Sequence, residues 1–401
     1  MAARFQNMPT KMTYKVTPIP VKQNNFVSNS TNVLDRLTVL LYLNAFYGVN
    51  RLFLLPISKP VKYFFHTYTF VVVIFIIHSL IYSGEISSAY RVIKITTCIE
   101  ILFLMVSTFV RQEDLKAFFS DLAKFENLLK LTADDVVLIT PKYRFCVWVF
   151  ISFTYSVFEF CFLSLYLYNK VEIPLLFYYF AMLAHDSVCV LFFSMLRITW
   201  FRLKILKAHA FKILKANKNH FRGIPDKVES LADRTELDIN SLHLAYDSLH
   251  KCSSLLNSSM SFSMVIMLFS SGLITTLLLQ TIFKTLEVSG ADDPVVGSLV
   301  IYASIRCLKY TVMVVIPCFY SSFTNAQVKM IRGMIHDAII NMDLGKMNRR
   351  KTKAFFQLTE HNEFTYALWG VIRLNMSLPL SYASLCATYL VIIIQFSKFI
   401  D

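Results

Sequence analysis

The sequence predicts an all-α membrane protein with seven spanning helices, its amino terminus in the cytoplasm and its carboxyl terminus outside. Three observations carry that prediction. The 401-residue chain is 55% hydrophobic and 16% charged, with 36 Phe and 20 Tyr, an aromatic load above that of an ordinary soluble core. Nearly uncharged apolar runs of roughly 18 residues or more recur along it, the length needed to cross a bilayer core of about 30 Å. Lys and Arg collect in alternate connections between those runs, the asymmetry that orients membrane helices.

The opening stretch, MAARFQNMPTKMTYKVTPIPVKQNNFVSNSTNV, is polar with scattered basic residues. It has no apolar region followed by a small-residue cleavage site, so no cleaved signal peptide is expected. Val33 to Val49 is apolar but interrupted by Asp35, Arg36 and Asn44, which favours an interfacial or re-entrant helix over an eighth span. The seven spans are His66 to Ser83, Val92 to Val110, Phe145 to Tyr168, Pro174 to Phe201, Met260 to Phe283, Ser298 to Thr324 and Leu378 to Phe396. Between spans four and five, RITWFRLKILKAHAFKILKANKNHF reads as span four continuing as an amphipathic helix, and DINSLHLAYDSLHKCSSLLNSSM as a helix leading into span five. NAQVKMIRGMIHDAIINM and RRKTKAFFQLTEHNEFTYALWGVI read as helices leading toward span seven. Periodicity leaves open whether these helices form a compact bundle or lie singly on anionic lipid. The chain thus divides into a cytoplasmic amino-terminal segment (1–61), a six-helix membrane bundle (62–324) with a cytoplasmic helical loop (202–259), further cytoplasmic helices (325–377) and the last helix (378–401).

The formal net charge of +14 lies on the side assigned to the cytoplasm and reads as a topology signal, so no nucleic-acid partner is expected. Eight cysteines fall in or beside apolar runs with no CxxC pair and no metal spacing, which predicts neither metal nor cofactor. AHDS at His185 and Asp186, and HLAYD at His243 to Asp247, lack the partner motifs of a hydrolase or zinc enzyme, so no enzymatic activity is expected. No internal duplication supports a transporter. A G-protein-coupled receptor would need the opposite topology, a DRY-like triplet and NPxxY.

On the last helix, Thr388, Ile392 and Gln395 are four and three residues apart and project from one face, because successive residues rotate by about 100°. Taken alone, Gln395 reads first as an interhelical packing residue. The stretch TYLVIIIQF, Thr388 to Phe396, is similar to the carboxyl-terminal TYhhhhhQF signature of insect gustatory receptors, where h is apolar. The longer stretch FTYALWGVIRLNMSLPLSYASLCATYLVIIIQF resembles the approach to the last helix in that family. The resemblance implies a ligand-gated, non-selective cation channel in the plasma membrane of a chemosensory neuron. It implies a homotetramer, or a heterotetramer with related receptors, around a pore lined by the last helix and anchored by the cytoplasmic helices. It further implies an apolar gate at Ile392, a polar ring at Gln395 and the next ring inward at Thr388, with Tyr389 and Phe396 packing the pore helix. Membrane lipid and permeant cations are the other expected partners.

The resemblance places a small tastant between the outer halves of spans two to six. Ionisable residues at that depth are functional candidates because burying them is costly. The sequence offers Glu100, Glu159, His185, Asp186, Arg306 and Lys309, and the aromatics Tyr166, Tyr168, Phe177, Tyr178, Tyr179 and Tyr302. The ligand candidates chosen from this depth are Glu159, Tyr179, Asp186, Gln280, Tyr302 and Arg306, with an internal Glu or Asp to Arg pairing as the alternative role for the charges. The expected ligand is a bitter or generalist tastant, with sugar, including fructose, as the second reading.

Overall fold

The computed structural model describes residues 26–81, 88–132, 135, 147, 150–151, 153–158, 161, 173–214, 237–289, 294–341 and 345–400. Helix α1 (Phe26–Phe46) buries Leu37, Leu40, Leu41 and Ala45, spaced so that they share one face. It ends at Gly48, whose φ of 89° lets the Val49 amide reach back to the Asn44 carbonyl at 2.8 Å. A Cβ at Gly48 would sit 2.6 Å from Met105 Cε, so this turn also fixes how closely α1 approaches the third helix. A 3₁₀ turn (Leu52–Leu54) leads into α2 (Lys59–Ile81), followed by α3 (Ser88–Val110) and α4 (Gln112–Leu128). Three long helices follow: α5 (Ile173–Leu214), α6 (Ile239–Ser289) and α7 (Pro294–Asn341). The chain closes with α8 (Lys346–His361), strands β1 (Ala367–Leu368) and β2 (Ile372–Arg373), and α9 (Leu378–Ile400).

The start signals are written in the sequence. Pro60, Pro174, Pro294 and Pro379 occupy the first or second position of α2, α5, α7 and α9, where a missing N–H costs nothing and the fixed φ suits the helix. Asp238 caps α6: its Oδ1 accepts the Ser241 amide at 2.8 Å and the Ser241 hydroxyl at 2.6 Å. Those bonds hold the Asp238 carboxyl below its usual range.

Among the described residues, five helices are long and apolar enough to cross a membrane: Lys59–His78, Arg91–Val110, Phe180–Leu214, Ile239–Lys284 and Val300–Ile340. In α9 the described apolar stretch is shorter, Leu378–Ile392. The third span read from the sequence, Phe145 to Tyr168, lies largely outside the described residues, although 153–158 are helical. In the most apolar window of α5, 89% is buried, against 11% for α2, so α5 is the interior helix and α2 the peripheral one. The hub is α6, which packs against α3, α4, α5, α7, α8, β1 and α9.

At one end these helices gather into a lobe rather than lying singly. Phe118 and Phe125 of α4, Leu206 of α5, Tyr246 of α6, Ile331 of α7 and Phe355 of α8 belong to one buried cluster. Within it, Arg202 of α5 donates to Glu126 Oε1 of α4 through Nε at 3.2 Å and Nη2 at 2.6 Å, both side chains being 1% exposed or less.

Two sequence readings change here. The α7 helix runs without interruption through residue 324, where the sequence reading ends span six, because NAQVKMIRGMIHDAIINM continues its apolar spacing. RRKTKAFFQLTEHNEFTYALWGVI is not helical throughout. The helix stops at His361, and the chain then extends into a two-stranded antiparallel hairpin pairing Ala367 with Arg373 and Leu368 with Ile372, a small exception to the all-α class. Phe364, Tyr366 and Leu368 are each 1% exposed. Their alternation is the period of a strand, not of a helix.

Candidate ligand site and pore helix

Three helices converge on one carboxylate. Glu100 of α3 is 2% exposed; its Oε1 is bonded to His185 Nδ1 of α5, and its Oε2 accepts the Ser270 hydroxyl of α6 at 2.5 Å. His185 Nε2 faces Cys189 Sγ, one turn along α5, at 3.8 Å. A buried carboxylate is tolerable in a membrane interior only with such partners, and here each comes from a different helix. The next residue of α5, Asp186, rotates toward α7 and sets its Oδ2 2.7 Å from Lys309 Nζ. Lys309 also lies 4.8 Å from the Tyr155 ring.

One turn away on α7 stands Arg306, 2% exposed. Tyr302 and Tyr310, four residues before and after it, offer their hydroxyl oxygens at 2.8 and 3.5 Å, and Met182 Sδ of α5 lies 3.1 Å from Nη2. A thioether is a weak acceptor, so that guanidinium edge holds a poorer bond than an oxygen would give it. Ile93, Met182, Ile274, Leu278, Ile282, Tyr302, Ala303 and Tyr310 form a separate buried cluster around this group. A cation, two phenols and a sulfur are thus packed within an apolar cluster.

Among its described side chains, helix α9 is covered along one stripe. Leu378, Tyr382 and Leu390 are half-buried and Cys386 is 8% exposed, every fourth residue. Tyr382 donates to the Leu268 carbonyl of α6 at 3.3 Å and lies over Gly272, where a Cβ would fall 3.2 Å from its hydroxyl oxygen. The opposite stripe is uncovered and polar: Ser381, Ser384, Thr388 and Gln395 are all exposed, at spacings of three, four and seven. Ile392, 38% exposed, stands one turn before Gln395.

The family profile described as 7tm Chemosensory receptor matches residues 31–400. The chain belongs to that chemosensory receptor family. Its fold is that of the insect olfactory receptor OR5 from Machilis hrabei. The structure of that protein in complex with eugenol matches 93% of this chain and 100% of its own at 12% identity, with a TM-score of 0.58. The structure titled without a ligand matches 92% and 100% at 13% identity, with a TM-score of 0.62. No curated sequence relative matches. This chemosensory receptor is therefore a multi-pass membrane protein.

Of the ligand candidates read from sequence, Asp186, Tyr302 and Arg306 come together across α5 and α7 in this receptor. Gln280 is half-buried on α6, two residues from both Leu278 and Ile282 and so on the other side of the helix from their buried face. Glu159, Tyr166 and Tyr168 lie outside the described residues, as do the side chains of Phe177, Tyr178, Tyr179 and Phe396. Tyr389 is 54% exposed within the single chain. Among the described residues, the charges at this depth pair as Asp186 with Lys309 and Glu100 with His185. Met182, Ser270 and Tyr310 were missed. Tyr310 was legible, since Tyr302, Arg306 and Tyr310 follow helical spacing; nothing marked Ser270 among the many serines of α6.

Proposed function

We propose that the receptor is a gustatory, ligand-gated, non-selective cation channel in the plasma membrane, built from four copies with α9 lining a central pore and the basic lobe in the cytoplasm. The observation that carries the reading is the hydroxyl and amide stripe of α9. On an otherwise apolar helix, four polar side chains turned away from the chain's own body are poorly placed against lipid and well placed beside water. Four copies meeting on that stripe put Ile392 side chains around the axis as an apolar constriction that closes by dewetting, with Gln395 as a polar collar and Thr388 deeper in. Tyr389, beside the covered stripe, then packs against a neighbouring subunit together with Phe396.

The polar group of Met182, Tyr302 and Arg306 is the proposed tastant site, opened for the ligand by separation of α5 and α7. A ligand carrying an acceptor oxygen would replace the weak thioether contact of Arg306 and stack on the flanking phenols. The class favoured is a bitter or generalist tastant. The cation and phenols also suit a sugar, the second reading. Expression in cells with a panel of both classes, recording evoked current, tests this. Gln395→Ala is expected to change rectification or blocker sensitivity and Ile392→Ala to give a leak without ligand; unchanged conduction in both removes the pore assignment. Arg306→Gln is expected to raise the half-maximal concentration about tenfold, the scale of one lost charge-assisted bond.

A further inference from the structure

The apolar run of α3 ends at Val110, and the residues on either side of that end face a cavity of about 380 Å³. Its walls come from α3, from the start of the apolar part of α6 and from the hairpin tip. The cavity has two chemistries. Val106, Phe262 and Trp369 line one part; Arg111, Asn257 and Ser258 line the other. Val106, Phe109 and Val110 are 58, 69 and 65% exposed, so the apolar part opens onto a bare helix face leading into the membrane.

Two further observations bear on the occupant. Arg111 Nη1 and Asp114 Oδ2 stand 3.4 Å apart, half-exposed, and the Ser258 hydroxyl donates to the same carboxylate oxygen at 2.9 Å. A loose cation–carboxylate pair at the level where an apolar span ends offers one site for a phosphate and one for an ammonium. Trp369 occupies the hairpin turn with φ of 51°, a conformation that non-glycine residues avoid, and Ser261 Oγ accepts its amide at 2.6 Å. The bond holds the indole 60% exposed at the rim, where a membrane interface favours an aromatic with one apolar and one wet side.

The structure points to a phospholipid site: we infer that this cavity seats a zwitterionic headgroup, phosphate on Arg111 and ammonium beside Ser258, toward the Asp114 carboxylate that borders the lining, with an acyl chain along Val106, Phe109 and Val110. The cavity holds a headgroup, not a whole lipid, so the chain must run along the exposed α3 face. The site needs only that α3 spans a membrane and is independent of conduction.

The full chain, reconstituted in phosphatidylcholine nanodiscs doped with a phosphatidylethanolamine bearing a diazirine in its acyl chain, tests the assignment. After illumination, labels mapped by mass spectrometry should concentrate on residues 103–111 and 262 over the exposed face of α2 around Phe70 and Ile74. Arg111→Gln and Trp369→Ala should each lower that labelling about fivefold, the loss of one exposed charge-assisted bond or one aromatic contact, while α2 labelling stays constant and reports an intact fold. Unlabelled phosphatidylethanolamine should compete better than phosphatidylglycerol, and Asp114→Asn should erase that difference. Equal labelling of the two faces, labelling indifferent to Arg111→Gln, or chain-to-chain cross-links showing a second copy seated in the cavity would each overturn it.

Discussion

Arg202 and Glu126 form an ion pair with neither partner in reach of water. Such a pair contributes little net stability, because desolvation offsets attraction, yet breaking it strands a buried charge. Glu126→Ala should therefore cost roughly 3 to 5 kcal/mol and lower the thermal midpoint of the detergent-solubilised receptor by several degrees. The double replacement Glu126→Met with Arg202→Met should recover most of that loss. A single variant as stable as the unsubstituted chain would show that the pair is not sealed in the lobe. Glu100 poses a related question at membrane depth, where His185 and Ser270 rather than an arginine satisfy it. The adjacent Asp186 turns to Lys309 instead, because neighbours on a helix face different ways and cannot pair as residues a turn apart do.

The joint between α6 and α9 depends on a single missing side chain. Gly272 lets the Tyr382 ring lie against the α6 backbone, and a branched residue there would displace it. Gly272→Leu is expected to push α9 outward and raise ligand-independent current, whereas Gly272→Ala, meeting only the flexible end of Tyr382, should change it little. A Leu variant that traffics to the surface and gates normally would mean that α9 is not held through this contact. Elements of this kind divide what the sequence reveals. The proline starts, the continuation of span four into the lobe and the apolar windows of α2, α3, α5, α6 and α7 follow from local chemistry and are legible without coordinates. The hairpin was legible in principle, from the alternation of Phe364, Tyr366 and Leu368 before Trp369 and Gly370, but its helical reading followed the preceding amphipathic segment. Ser270 and Met182 were not legible, because their roles arise from which helices meet, and that is a long-range fact.

At the scale of the molecule, the described residues leave the apolar flank of α2 and α3 bare, suited to lipid, and the polar stripe of α9 bare, the face on which copies would meet in the proposed channel. Chemical cross-linking of the purified receptor, resolved by size, should give species up to four chains and none beyond. A ladder ending at two would remove the central pore while leaving the proposed tastant site at Arg306 standing. The fold was accessible from sequence mainly because membrane helices must satisfy their backbone internally. The proposed assembly draws on TYLVIIIQF as well as on the α9 stripe, since no property of one chain counts its neighbours.

The 51 residues of α6 form one continuous helix, about 76 Å at 1.5 Å per residue. A rod of that length is a lever. With its foot clamped in the lobe by α4 and α8, a tilt of about one degree moves its far end by roughly 1.3 Å, and Tyr382 rides on its middle. In the proposed channel a ligand would not need to push on the gate: wedging the tip of the rod would suffice, and the stiffness of its distant fulcrum would set how much of that push arrives.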